Sequence, residues 1–142
     1  MNSSELSSSL RIVVSALHKG LRKQISVANS HSMTDLETIA HLIRTPFLLP
    51  TELAALTRVK TQSMSHILNK LENQGVIKRT LSKDDKRKVY ISLTSLGKKI
   101  VEKTKYERDE WLKSAIEKSL TDKEKELLAK ALPVLNKLIE TN

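Results

Sequence analysis

Cysteine is absent from this 142-residue chain, and only three glycines, three prolines and four aromatic residues occur. The missing thiols exclude a disulfide scaffold, a thiolate zinc site, a cysteine nucleophile and a thiol redox sensor. So few glycines leave no P-loop and no G-x-G-x-x-G turn, and neither H-E-x-x-H nor G-x-S-x-G occurs. No enzymatic activity and no cofactor are expected. Phe47, Tyr90, Tyr106 and Trp111 are too few for a surface that stacks single-stranded bases. No apolar run approaches the ~18 residues of a membrane span. The start, MNSSELSSSLRIVV, lacks the basic and long apolar regions of a signal peptide, so a cytoplasmic location is expected.

What the chain has in excess is positive charge, 25 Lys and Arg against 16 Asp and Glu. The excess is concentrated. Between Arg58 and Leu93 nine cations stand against Glu72, Asp84 and Asp85, a net +6 of the chain's +9. A local basic cluster is the electrostatic footprint of a polyanion site, although a solvated basic surface would look the same by charge alone.

Apolar periodicity supplies the framework. Leu10, Val13, Val14, Leu17, Leu21, Ile25 and Ala28 predict a helix from Leu6 to Ala28, with Gly20 inside it. Thr34 and Glu37 form a capping box for a second helix through Leu36, Ile39, Ala40 and Ile43, ending near Thr45 before Pro46. A third, short helix from Thr51 turns Leu53, Ala54 and Leu56 inward. A fourth covers Thr61 to Asn73, with Met64, Ile67, Leu68 and Leu71 inward and Gly75 ending it. Val76–Leu81 and Lys88–Leu93 read as strands joined by the polar tip Ser82–Arg87; Val89, Ile91 and Leu93 alternate with Lys88, Tyr90 and Ser92. A helix from Thr94 to about Lys118 follows. A box at Thr121 and Glu124 opens the last helix, which Pro133 should kink.

The order short helix, turn, helix, hairpin carries the chemistry. The polar face of the fourth helix offers Gln62, Ser63, Ser65, His66, Asn69 and Lys70, groups suited to base edges and phosphates in a major groove. That is the pattern of a helix-turn-helix recognition helix. The hairpin adds Lys83, Lys86, Arg87 and Lys88, and an arginine on a thin loop fits a narrow minor groove. Asp85 can hold the Arg87 guanidinium by a charge-assisted bond. Asp84 and Asp85 read as arginine-orienting or turn-ending residues rather than a catalytic pair. The histidines His18, His31, His41 and His66 form no tight pair, so no metal site is expected.

The run GVIKRTLSKDDKRKVYISLTSLGKKI, Gly75 to Ile100, resembles the wing and following helix of the multiple-antibiotic-resistance regulator (MarR) family. That family reads G-L-[VI]-x-R, then D-x-x-D-R-R, then a strand ending L-T-x-x-G. Gly75, Ile77, Arg79, Asp85, Arg87, Leu93, Thr94 and Gly97 match; Val76 and Lys86 depart. Upstream, ELAALTRVKTQSMSHILNKLENQGVI resembles the family's helix-turn-helix, with His66 where the family often carries Arg. The resemblance implies a mainly α fold with a small β-hairpin wing. Residues 34–93 would form a winged helix-turn-helix lobe, and residues 1–33 with 94–142 a helical dimerisation region. It implies a homodimeric regulator, a repressor in the first instance, bound to an inverted-repeat operator in double-stranded DNA. The expected DNA-binding residues are Lys60, Thr61, Gln62, Ser63, Ser65, His66, Asn69, Lys70, Arg79, Lys83, Asp85, Lys86 and Arg87. Some relatives take a small-molecule effector between the dimer helices and the DNA-binding lobe, a cleft that His18, His41 and Arg44 could border.

Two other classes share parts of this pattern. A non-specific architectural DNA binder would need the basic wing but no base-reading helix face. A winged-helix module for protein contacts would need neither the clustered charge nor the wing arginine. The terminal helices, apolar over broad faces, either interlock with a second chain or close on each other as a bundle within one.

Overall fold

Capping chemistry decides where the helices begin. The structure, a computed structural model, describes residues 1–140. Helix α1 (Ser3–Lys23) opens at Asn2, whose side chain accepts from the Glu5 N–H while Glu5 accepts from the Asn2 N–H. Helix α2 (Met33–Arg44) opens on a reciprocal box between Ser32 and Asp35. The expected Thr34–Glu37 box is therefore corrected: the cap lies two residues earlier. Asp35 is buried there, and Thr34 is already helical, its carbonyl accepting the Thr38 hydroxyl at 2.7 Å. Helix α3 (Pro50–Thr57) has proline in its first turn, where a missing N–H is harmless. Arg58, left-handed at φ 57°, turns the chain into α4 (Thr61–Asn73), and Gly75 at φ +74° ends it. Strands β1 (Ile77–Leu81) and β2 (Val89–Leu93) follow, then α5 (Ser95–Ser119) capped by Thr94, and α6 (Asp122–Glu140) behind the Thr121–Glu124 box. Helix α6 runs on through Pro133.

The first helix stops earlier than its apolar pattern predicts. After Lys23 the chain turns: the Gln24 and Ile25 amides bond three residues back, to Leu21 and Arg22, and the Ser26 N–H and hydroxyl then both donate to the Glu107 carboxylate on α5, at 3.2 and 3.1 Å. An amide bonded outside its own helix no longer propagates it. Ile25, expected on the helix face, reaches the core from this turn instead.

The core lies in the middle of the chain. Leu53 from α3, Met64, Leu68 and Leu71 from α4 and Ile91 from β2 are fully buried, joined by Ile39, Leu42, Val76 and Ile77. The strands pair antiparallel from Ile77 opposite Leu93 to Leu81 opposite Val89. Leu48, in the segment that reads from sequence as a plain connector, exchanges backbone hydrogen bonds with Ile91 and extends the sheet by one bridge. Three side chains differ from expectation. Leu56 is exposed, and Thr57 turns inward, its hydroxyl donating to the Leu53 carbonyl at 2.8 Å. Leu42 is buried where Ile43 was expected, and Ile43 is partly exposed. Ser92 is buried although the alternation points it outward, because residues of the α2 C-terminal segment, Leu42 to Phe47, cover that side of the hairpin.

The terminal helices behave differently. Neither α1 nor α6 contains a buried residue, although Leu138 of α6 lines a groove beside Leu6, Leu10 and Val14 of α1. Ile12, Val13, Val14 and Leu17 on α1 are exposed, as are Leu127, Leu132, Val134 and Ile139 on α6. Helix α1 does meet α5: Gly20 lies under the Trp111 ring, and a β-carbon there would come within 2.6 Å of it. Among the described residues no helix is long and apolar enough to cross a membrane.

A second close approach fixes the join between wing and α5. The Thr94 hydroxyl donates to the Gly75 and Val76 carbonyls, and a β-carbon on Gly97 would collide with the Val76 carbonyl oxygen. Backbone cannot swing aside as a side chain can, so Gly97→Ala should destabilise the fold by about 1–3 kcal/mol. Gly20→Ala, opposed by a side chain, should cost less. Urea unfolding of both variants tests the order; equal midpoints would show that the Gly97 corner relaxes freely.

Candidate nucleic-acid interface

Burial of Met64, Leu68 and Leu71 dictates which side of α4 remains outside. Thr61, Gln62, Ser63, Ser65, His66, Asn69 and Lys70 are all exposed. Each was expected from sequence to face DNA, and the fold brings them onto one helix surface. Lys60 stands at the N-cap of α4 and makes no capping hydrogen bond, as Leu49 makes none at the start of α3, whereas side chains cap the starts of α1, α2, α5 and α6. The first-turn amides of α4 therefore keep their partial positive charge for an external acceptor such as a phosphate.

The wing is tied to this helix. The Arg79 Nη2 on β1 donates to Asn69 Oδ1 at 2.8 Å, and its Nε lies 3.3 Å from Glu72 Oε1. At the hairpin tip Arg87 is 90% exposed, yet its guanidinium is held: Nε to Asp85 Oδ1 at 3.2 Å, Nη2 to Oδ2 at 3.4 Å. The Arg87 backbone N–H donates to the same Oδ1 at 3.0 Å. These bonds hold the Asp85 carboxyl below the usual carboxylate range. The turn itself is pinned by Ser82, whose hydroxyl accepts from the Asp84 and Asp85 N–H groups. Lys83 and Lys86 are exposed beside Arg87.

Lys70 is placed differently from its neighbours. Its ammonium reaches back to Asp35 Oδ2 at 2.6 Å, and the Asp35 side chain is only 3% exposed. Burial pushes the Asp35 carboxyl up, but the bonds from Lys70 and Ser32 outweigh it and hold the group below its ordinary value. Beside it, burial lowers the His31 imidazole, the Asp35 charge opposing and the Lys70 charge assisting.

A cavity of about 430 Å³ opens between α1, α2 and α5, lined by His18, Ile25, Leu36, Glu37, Thr104 and Arg108 among others. Of the residues expected at an effector cleft, His18 lines it. His41 and Arg44 do not: His41 sits one turn beyond Glu37, its Nε2 3.8 Å from that carboxylate, and Arg44 is exposed farther along α2. Arg108 and Glu37 supply the charges there instead. Arg108 gave no signal in sequence, because one arginine on a charged helix carries no motif. Asp35 carries no distinguishing signal in sequence either, because a cap at Thr34 would make it an ordinary first-turn residue.

Residues 32–88 match the sequence model of the MarR family. An HTH-type transcriptional regulator of Mycobacterium tuberculosis is 26% identical over 135 residues, covering 95% of this chain and 93% of the relative. A candidate transcriptional regulator from Pseudomonas aeruginosa has a crystal structure similar to this one at TM-score 0.82 and 28% identity, covering 96% of this chain and 94% of that one. Streptococcus pneumoniae FabT, solved in complex with DNA, shares the fold at TM-score 0.73 and 22% identity, with 99% of both chains covered.

The Asp35 environment predicts a pH dependence. Its folded carboxyl titrates below the unfolded value of about 3.9, so its pairing contributes fully above that pH and is lost as pH falls through the folded value. Asp35→Asn should be less stable than the natural chain by about 1–3 kcal/mol at pH 7. The gap should narrow between roughly pH 5 and pH 2. Urea unfolding of both proteins across that range measures it; a gap that does not change with pH would contradict the assignment.

Proposed function

We propose that the chain is a transcriptional regulator of the MarR family, whose sequence model matches residues 32–88, and that it binds an inverted-repeat operator in double-stranded DNA as a homodimer, with repression as its output. The observation that carries this reading is the coupling of helix and wing: Arg79 on β1 bonds Asn69 and pairs with Glu72 on α4, so the polar helix face and the strand leading to the basic tip are joined. In this reading Gln62, Ser65, His66 and Asn69 meet base edges. Lys60 and the first-turn amides of α4 meet phosphate. Lys83, Lys86 and Arg87 enter or flank the adjacent minor groove, with Asp85 setting the guanidinium plane.

The homodimer rests on the unburied apolar faces of α1 and α6, where Leu10, Val13, Leu17, Leu132, Leu135 and Ile139 would meet a second copy. Contiguous apolar surface of that extent is costly in water and is relieved by association. Two-fold symmetry then places two recognition helices one DNA turn, about 34 Å, apart. A small effector would enter the cavity beneath α1, where His18 and Arg108 offer donors and Glu37 an acceptor. A non-specific architectural role is disfavoured by the short polar side chains on α4, which such a role does not require.

Two measurements test the reading. If each protomer neutralises about four phosphates, log K for the dimer should fall with log salt at a slope near −7. A slope shallower than about −2 would remove the basic cluster from the DNA. Arg87→Ala should weaken operator binding by about 1–3 kcal/mol. Asp85→Ala should weaken it less, although it removes a negative charge. Tighter binding by Asp85→Ala would favour bulk charge over an oriented arginine.

A further inference from the structure

We propose that Lys70 is a positioning residue of the recognition helix: it fixes the seat of α4 against α2 through Asp35 and touches no phosphate. The inference rests on the DNA-binding reading above and refines it.

The geometry is that of a strut between elements. Asp35 occupies the third position of α2, and Lys70 lies in the last turn and a half of α4, 35 residues on. A single oxygen, Asp35 Oδ2, accepts both the Lys70 ammonium at 2.6 Å and the Ser32 N–H at 2.9 Å. The start of α2 and the later part of α4 are thus held at one atom. The carboxylate is almost entirely inaccessible, so it cannot recruit solvent cations in place of Lys70. A buried carboxylate deprived of its partner is strongly destabilised, which binds the ammonium to this position rather than leaving it to follow a phosphate. A second, longer bond runs parallel: Gln74 Nε2 donates to the Ser30 carbonyl at 3.4 Å.

Direction matters as well. The buried stripe of α4 permits the helix to roll slightly about its axis, since apolar contacts are not directional. A charge-assisted bond is directional and short, and one placed to the side of the stripe resists that roll. The roll angle decides which of Ser65, His66 and Asn69 reach base edges. Lys70 therefore acts on sequence preference through α4, while the other exposed cations act on affinity.

Duplexes selected from a randomised pool by the natural protein, together with a scrambled duplex, provide the test. Lys70→Met should lose on the order of tenfold in discrimination between the two. Its salt slope should stay that of the natural protein. Lys70→Arg, which keeps a cation on a long stem, should restore much of the preference. Asp35→Asn keeps an oxygen for the Ser32 cap but weakens the strut, and it should lose discrimination as Lys70→Met does, even though it removes negative charge. Because Asp35 is buried and cannot reach DNA, this variant also serves if Lys70→Met fails to fold. Uniform weakening of all sequences by Lys70→Met, with the slope shallower by about 2 for two lost phosphate contacts, would overturn the proposal. So would folded Lys70→Met and Asp35→Asn proteins with unchanged preference, since the pair would then serve stability alone. If the natural protein shows no preference and a shallow slope, the DNA-binding reading fails first, an outcome distinct from either.

Discussion

Everything the chain presents outward depends on the apolar seat beneath α4. Met64, Leu68 and Leu71 are fully buried between α2, α3 and the hairpin, and their spacing consumes one side of a three-and-a-half-turn helix. The opposite side is thereby fixed in identity as well as in position. A one-residue shift in the apolar pattern would rotate the outer face by about 100° and present a different set of polar groups. The apolar stripe determines the face, and the polar links then determine its attitude. Asp35 holds the helix from α2, and Arg79 joins it to β1. Each link is a charged group meeting a hydrogen-bonding partner, so each has a preferred direction that van der Waals packing lacks.

The elements with strong periodicity were legible in the sequence, and so was the wing. Helix α4 has the predicted bounds, and Asp85 meets Arg87 as the two-residue spacing suggests. What was not legible came from tertiary partners. Helix α1 continues to Ala28 by pattern, but the Ser26 amide finds Glu107, 81 residues away, and the helix ends. On local pattern Thr34–Glu37 is the better capping box, with Glu at its third position; the structure instead uses Ser32–Asp35, where Asp35 is buried and bonded to Lys70. Ser92 alternates outward by period two, yet the segment after α2 covers it. In the candidate site, the exposed face of α4 follows from the helix alone. That Lys70 reaches Asp35 and that His41 lies outside the cavity follow only from how helices pack, which no local pattern encodes.

Hydrophobic burial is divided unevenly along the chain. The winged lobe holds nearly all of the core, while α1 and α6, two of the three longest helices, hold none of it. Helices in proteins draw most of their stability from a packed apolar face rather than from intrinsic propensity. Good caps help both, through Asn2 with Glu5 and Thr121 with Glu124, but a cap contributes only about 1 kcal/mol. The apolar faces of α1 and α6 therefore gain little stability from packing within the chain, and the Gly20–Trp111 contact fixes where α1 crosses α5 so that its remaining face stays outward.

The acidic residues around the basic segment clarify how its charge is organised. Asp35, Glu72 and Asp85 each stand against one cation, Lys70, Arg79 and Arg87 respectively. The three pairs differ chiefly in burial. Asp35 is inaccessible, so its pairing is obligatory and its cation is committed to the fold. Glu72 and the Arg79 side chain are partly exposed, so that pair joins helix to strand in a screened environment where the net Coulomb gain is small. Arg87 is almost wholly exposed and shares its carboxylate with its own backbone amide, so Asp85 shapes the loop as much as it neutralises the arginine. Net charge alone treats these three acids as equal subtractions from a basic surface. Their burial instead orders them by structural role, from tying α4 to α2, through joining α4 to β1, to holding the guanidinium at the hairpin tip.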